Sequence, residues 1–253
     1  MIDLIAVAAL AACLVGVSTL ASRVWGQTAG GIVSAFPLIV GPVLVLAARR
    51  EDAAFAAQMA IATLLGLVAL SGFALAYGRS AGRWGWLPSL ALGWAAAAAI
   101  GLVAARIETG LLGALAAATL SIALSRAALP EATPLDPPPP LPRWELPARM
   151  ALTALLIVGL TLAGDRFGPL VAGILAALPT LASVLAVFTH AREGHEALLS
   201  LLRGMLGGLA AFVIFCASVA VLIEPAGVVV AFLLATSAAV LVQLATARRL
   251  APA

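Results

Sequence analysis

Residues 168–193, GPLVAGILAALPTLASVLAVFTHARE, repeat the plan of residues 26–51, GQTAGGIVSAFPLIVGPVLVLAARRE. Each stretch is of membrane length, opens on small residues, carries a proline midway and leaves on Arg-Glu. Sliding one onto the other by 142 residues aligns Gly26 with Gly168, Gly31 with Gly173, Ile32 with Ile174, Ala35 with Ala177, Pro37 with Pro179, Val45 with Val187, Arg50 with Arg192 and Glu51 with Glu193. In a chain so rich in Ala and Leu, the weight of the match lies on its glycine, proline and charged positions.

The composition sets the environment of these segments. At 64% hydrophobic and 10% charged, the 253 residues hold too little polar surface to cover a soluble globule. A hydrocarbon core of about 30 Å needs about 20 apolar residues per crossing helix. Such segments fill nearly the whole chain, so an all-α polytopic membrane protein is expected, with no attached soluble catalytic domain. All 14 basic residues are arginines, scattered at segment ends except Arg203, which fits positive-inside topology better than a nucleic-acid-binding stripe. Cys13 and Cys216 lie in apolar runs without a CxxC motif and read as small buried hydrophobes. The start MIDLIAVAALAACLVGVSTLA has no basic n-region and reads as a retained first span.

Hydropathy places about nine transmembrane helices, near 2–22, 29–48, 54–77, 86–105, 109–126, 149–164, 168–189, 198–222 and 225–247. With the N-terminus outside and the C-terminus cytoplasmic, Arg23, Arg79, Arg83, Arg126, Arg143, Arg149, Arg192, Arg203, Arg248 and Arg249 fall on the cytoplasmic side. Arg49, Arg50, Arg106 and Arg166 fall opposite. That asymmetry favours this orientation, and the arginine-only, alanine-rich bias fits a GC-rich bacterial genome, so a bacterial inner membrane is expected.

Residues 130–148 include PEATPLDPPPPLPRWELP, whose prolines remove backbone donors and favour an extended, stiff linker. The chain thus divides into a first membrane half at 1–128, a cytoplasmic linker at 129–148 and a second half at 149–253. Spans one to four pair with six to nine, and span five lies between. A shift of five spans is odd, so the second unit enters the membrane upside down. Inverted repeats are a common architecture of secondary transporters, whose sites sit near the midplane between discontinuous helices.

Pro37 and Pro179 are therefore the centre of the expected substrate site. Each removes a helical hydrogen bond and frees a carbonyl, with Gly31 and Gly173 loosening the helix before it. Ser34, Thr180 and Ser183 stand near the prolines as hydrogen-bonding groups, although their hydroxyls also suit their own helix carbonyls. Arg203 lies one or two turns into span eight, able to neutralise a phosphate or carboxylate, to snorkel, or to pair with Glu196. Gln27 and Thr28 open span two, where free amides suit an anionic group. His190, His195 and Glu196 lack metal-ligand spacing and read as a polar connector. No carboxylate lies mid-span. The expected site has no catalytic residue, metal or cofactor.

The pattern AGGIVSAFP, echoed as AGILAALPT, resembles the small bacterial membrane proteins of the glycerol-regulon GlpM-type group, in which an AGL-type run leads to FPT midway through a helix. The resemblance covers the first three spans of each half and implies a duplicated, fused form of such a protein. The first copy departs from it with Leu38 where the second has Thr180. The function expected is a permease or exporter of a small organic or anionic molecule, working by alternating access. A lipid or polyprenyl-phosphate flippase is a close variant, and a noncatalytic assembly or regulatory subunit is the alternative of another class. The partners expected are the substrate and the lipid bilayer, with a homodimer also compatible.

Overall fold

The computed structural model describes residues 2–133, 142–167 and 178–250. Among them every regular element is an α-helix. The order is α1 (Ile2–Trp25), α2 (Gln27–Ser34), α3 (Val40–Arg50), α4 (Ala53–Ala81), α5 (Trp86–Ala104), α6 (Leu111–Ala128), α7 (Glu145–Phe167) and α8 (Thr180–Leu250). Six of these, α1 and α4 to α8, are long and apolar enough to cross a membrane.

The helix boundaries follow local chemistry. Asp52 caps α4 by accepting the Phe55 amide at 2.7 Å. Pro42, Pro88 and Pro147 each fall in the first turn of a helix, where a missing N–H leaves no intrahelical bond unmade. Gly26, Gly194 and Gly227 adopt φ of 85°, 86° and 77°. A side chain disfavours that left-handed region, and glycine enters it freely. Gly26 separates α1 from α2, and the other two interrupt α8. A straight helix of 71 residues would extend about 107 Å, but the rings of Phe215 and Phe232 meet at 6.0 Å across Gly227. The chain therefore doubles back, and α8 is three helical segments at 180–193, 195–226 and 228–250.

Several expected boundaries change. The second span, expected as one helix at 29–48, is two short helices with a nonhelical turn at 35–39 around Pro37. The linker ends earlier than residue 148, because α7 begins at Glu145, and the sixth span grows from 149–164 to 145–167. An ion pair between Glu145 and Arg149, one turn apart, holds that added turn. Cys216 is buried as expected, whereas Cys13 is exposed on the outer surface of α1. Residues 134–141 of the linker and Gly173 lie outside the described residues.

The middle segment of α8 is the core. Its Leu198, Leu202, Leu206 and Leu209 are buried, and α4 packs on it with Leu64, Phe73 and Tyr77 fully covered. α5 and α6 lie outside α4, and α7 lies against α1. α2 approaches the middle segment most closely. A methyl built on Gly31 would overlap the Leu201 carbonyl, one on Gly204 would overlap the Thr28 carbonyl, and one on Gly208 would stand 2.7 Å from the Ile32 carbonyl. Small residues spaced in this way let backbones touch where lipid offers no hydrophobic drive to association. We expect Gly204→Val to lower stability by about 1–3 kcal/mol through overpacking. Gly66→Ala, which meets open space, should change it by less than about 0.5 kcal/mol, as read by unfolding of the purified protein in micelles.

Candidate functional site

The two proline turns face one cavity of about 360 Å³. Its wall includes Phe36, Pro37, Ile39 and Val40 from the first turn and Leu178, Pro179, Leu181 and Ala182 from the second. Leu70 of α4 and Phe212 of α8 close its sides, with Leu14, Met205 and Leu209 also contributing. Among the described residues, Ser34 and Thr180 bring the only side-chain hydroxyls to this lining. α3 starts without a side-chain cap, but the turn satisfies its own first amides: Gly41 donates to the Pro37 carbonyl at 3.1 Å and Val43 to the Ile39 carbonyl at 3.5 Å, and Pro42 has no N–H to satisfy.

The expected site residues divide into those at the cavity and those elsewhere. Pro37, Pro179, Ser34 and Thr180 line it. The Ser34 hydroxyl donates to the Gly31 carbonyl at 2.7 Å, satisfying its own helix. Ser183 lies one turn after Pro179 and is engaged twice. Its hydroxyl donates to the Pro179 carbonyl at 2.7 Å and accepts from the Trp94 indole N–H at 2.8 Å. Gly31 serves the packing of α2 against α8. Arg203 stands away from the cavity. Its guanidinium donates to the carbonyls of Leu129 and Pro130 at 3.0 and 3.2 Å, finishing the end of α6. Glu196 does not take Arg203; it accepts the Thr133 amide at 2.7 Å and sits 2.8 Å from the His195 ring. His190 instead faces the Tyr77 hydroxyl at 3.4 Å.

Gln243 is a site-proximal residue that hydropathy alone passes over. Its side-chain amide donates to the carbonyl of Ile32, one turn before the first break. The last segment of α8 is thereby tied to α2.

A second constellation joins both halves at the other end of these helices. Glu145 is fully buried beside Arg149, which donates to it at 3.1 Å through Nε. Arg23 of α1 stands 3.7 Å from the same carboxylate, and Arg192 approaches its other oxygen at 3.5 Å. Arg23 also bonds Glu193 at 3.0 Å, and the Gln27 amide donates to Glu193 at 2.7 Å. Arg149 lies over the Phe188 ring at 5.0 Å and Arg192 near Trp144 at 5.9 Å. The sequence signal was the Arg-Glu exit of the repeat, Arg192-Glu193; Glu145 was hidden in the proline-rich stretch.

The helical segment 180–193 links the two constellations. Thr180 and Leu181 face the cavity, Val184 and Leu185 pack with Val15 and Leu201 in a buried cluster, and Phe188 leads to Arg149. Between cavity and ion network lies an apolar plug.

Removing Glu145 strands the buried Arg149, so Glu145→Ala should cost about 3–5 kcal/mol, read as a lowered unfolding midpoint. A double-mutant cycle with Trp94→Phe and Ser183→Ala should return a coupling of about 0.6–1.7 kcal/mol, the range for hydrogen bonds inside membranes. No protein-family model, curated protein or solved structure matches the chain.

Proposed function

We propose that this protein is a secondary transporter, a permease or exporter of a small organic molecule, whose site is the cavity between Pro37 and Pro179. The observation that carries this reading is the pairing of the cavity wall. Phe36 and Leu178, Pro37 and Pro179, Ile39 and Leu181, Val40 and Ala182, and Leu70 and Phe212 are all lining residues set 142 positions apart. Two equivalent breaks forming one cavity is the arrangement that inverted-repeat transporters use for substrate.

Helix ends support the same proposal. Shifted by 142, α1 falls on α7, α3 on segment 180–193, α4 on 195–226 and α5 on 228–250, within a few residues. α6 has no counterpart and serves as the connector that makes the shift odd. Taking α2 with α3 as one broken span and α8 as three gives nine spans, N-terminus outside and C-terminus cytoplasmic, in a bacterial inner membrane. The resemblance to a fused GlpM-type pair fits this duplication.

In this scheme the ion network and apolar plug seal the cytoplasmic side. Alternating access then requires Glu193 to part from Arg23 and Gln27 as segment 180–193 tilts. The test uses Thr180→Cys in a protein carrying Cys13→Ser and Cys216→Ala, labelled in oriented vesicles with a membrane-impermeant maleimide. Position 180 should label from the cytoplasmic side slowly, and Glu193→Gln should speed that labelling several-fold. Failure to label from either side, with or without Glu193→Gln, would refute a solvent-connected transport site.

A further inference from the structure

Building on the transport reading, we infer that the substrate is an uncharged, largely apolar molecule with one hydrogen-bond-accepting end. Among the described residues, the cavity lining contains no titratable side chain. By sequence, residues 168–177 are only Gly, Pro, Leu, Val, Ala and Ile, so that stretch brings no charge either. The arginine expected to meet an anion, Arg203, is spent on the Leu129 and Pro130 carbonyls. The arginines nearest along segment 180–193 are compensated by Glu145 and Glu193 beyond the apolar plug.

Magnitudes decide between a neutral and an anionic occupant. The uncapped start of α3 attracts negative charge, but a helix terminus is worth only about 0.3–1 kcal/mol, rising to about 2 in buried settings. Stripping water from an unpaired ion costs several kcal/mol. The terminus therefore does not hold an anion here, and its Gly41 and Val43 amides are already taken by the Pro37 and Ile39 carbonyls. The polar handle that donates to the accepting end is the Thr180 hydroxyl, since Ser34 is turned to its own helix. At about 360 Å³ the cavity lies at the small end of ligand pockets. That size suits a compact amphiphile; a phospholipid would bring its charged headgroup.

Three probes of one shape isolate charge from size: 2-acetonaphthone, 2-naphthoate and 2-naphthamidine at neutral pH. Binding to the full chain in nanodiscs is measured by equilibrium dialysis, with empty nanodiscs subtracted. The ketone should bind, and the carboxylate and amidinium should bind more than about a hundredfold more weakly. Thr180→Trp and Leu70→Trp fill the cavity from opposite walls, and either variant that elutes as a monodisperse helical protein should lose the ketone. If an ion binds as well as the ketone and is displaced by the filling variants, the neutral class is wrong while the site stands. If the ketone does not bind, or survives both fillings, the inference fails together with the cavity as a binding site, whereas the vesicle labelling tests transport access independently.

Discussion

Breaking a helix at membrane depth frees backbone N–H and C=O groups that lipid cannot satisfy. The structure meets that constraint at residues 35–39 by setting this break against the turn at Pro179 across a protein-lined cavity. Side chains then complete the accounting: Ser183 takes the Pro179 carbonyl and Gln243 takes that of Ile32. The close glycine packing of α2 on the middle of α8 is what holds the first break in place. A cavity between the two turns follows from this, because two proline-bent backbones cannot fill the space that straight helices would.

The ion network obeys a related rule. A carboxylate as buried as Glu145 persists only with positive partners, and Arg149, Arg192 and Arg23 supply them from three helices. Because these partners come from both halves of the chain, the network fixes how the halves meet at one end. The cavity does not share this charge. Segment 180–193 carries the separation in its own sequence, polar at Arg192 and Glu193, apolar through Val184 and Leu185, and weakly polar at Thr180.

The centre of the candidate site was legible because proline and glycine act locally. Pro37 and Pro179 each remove a helical hydrogen bond in the middle of an apolar stretch, where the first-turn exception open to Pro42, Pro88 and Pro147 does not apply. Side-chain partners were not legible, since Arg203 had equally good local explanations and its actual acceptors lie more than seventy positions away in the chain. Ser183 was read correctly as a hydroxyl near a break, but its second partner, Trp94, belongs to a helix 89 positions earlier. The long α8 shows the same limit. Hydropathy saw its three apolar stretches, and the backbone reversals depend on the conformation of Gly194 and Gly227. Glu145 escaped notice because neighbouring prolines mark a linker, although proline is equally at home in a helix's first turn.

The Trp94–Ser183 bond has a mechanical consequence. α5 is mostly uncovered by the rest of the protein, so its outer surface belongs to the lipid. Through one indole this rim helix grips the turn after Pro179. Were a thinner or thicker bilayer to tilt this helix, Trp94 is the side chain through which the turn after Pro179 would feel it.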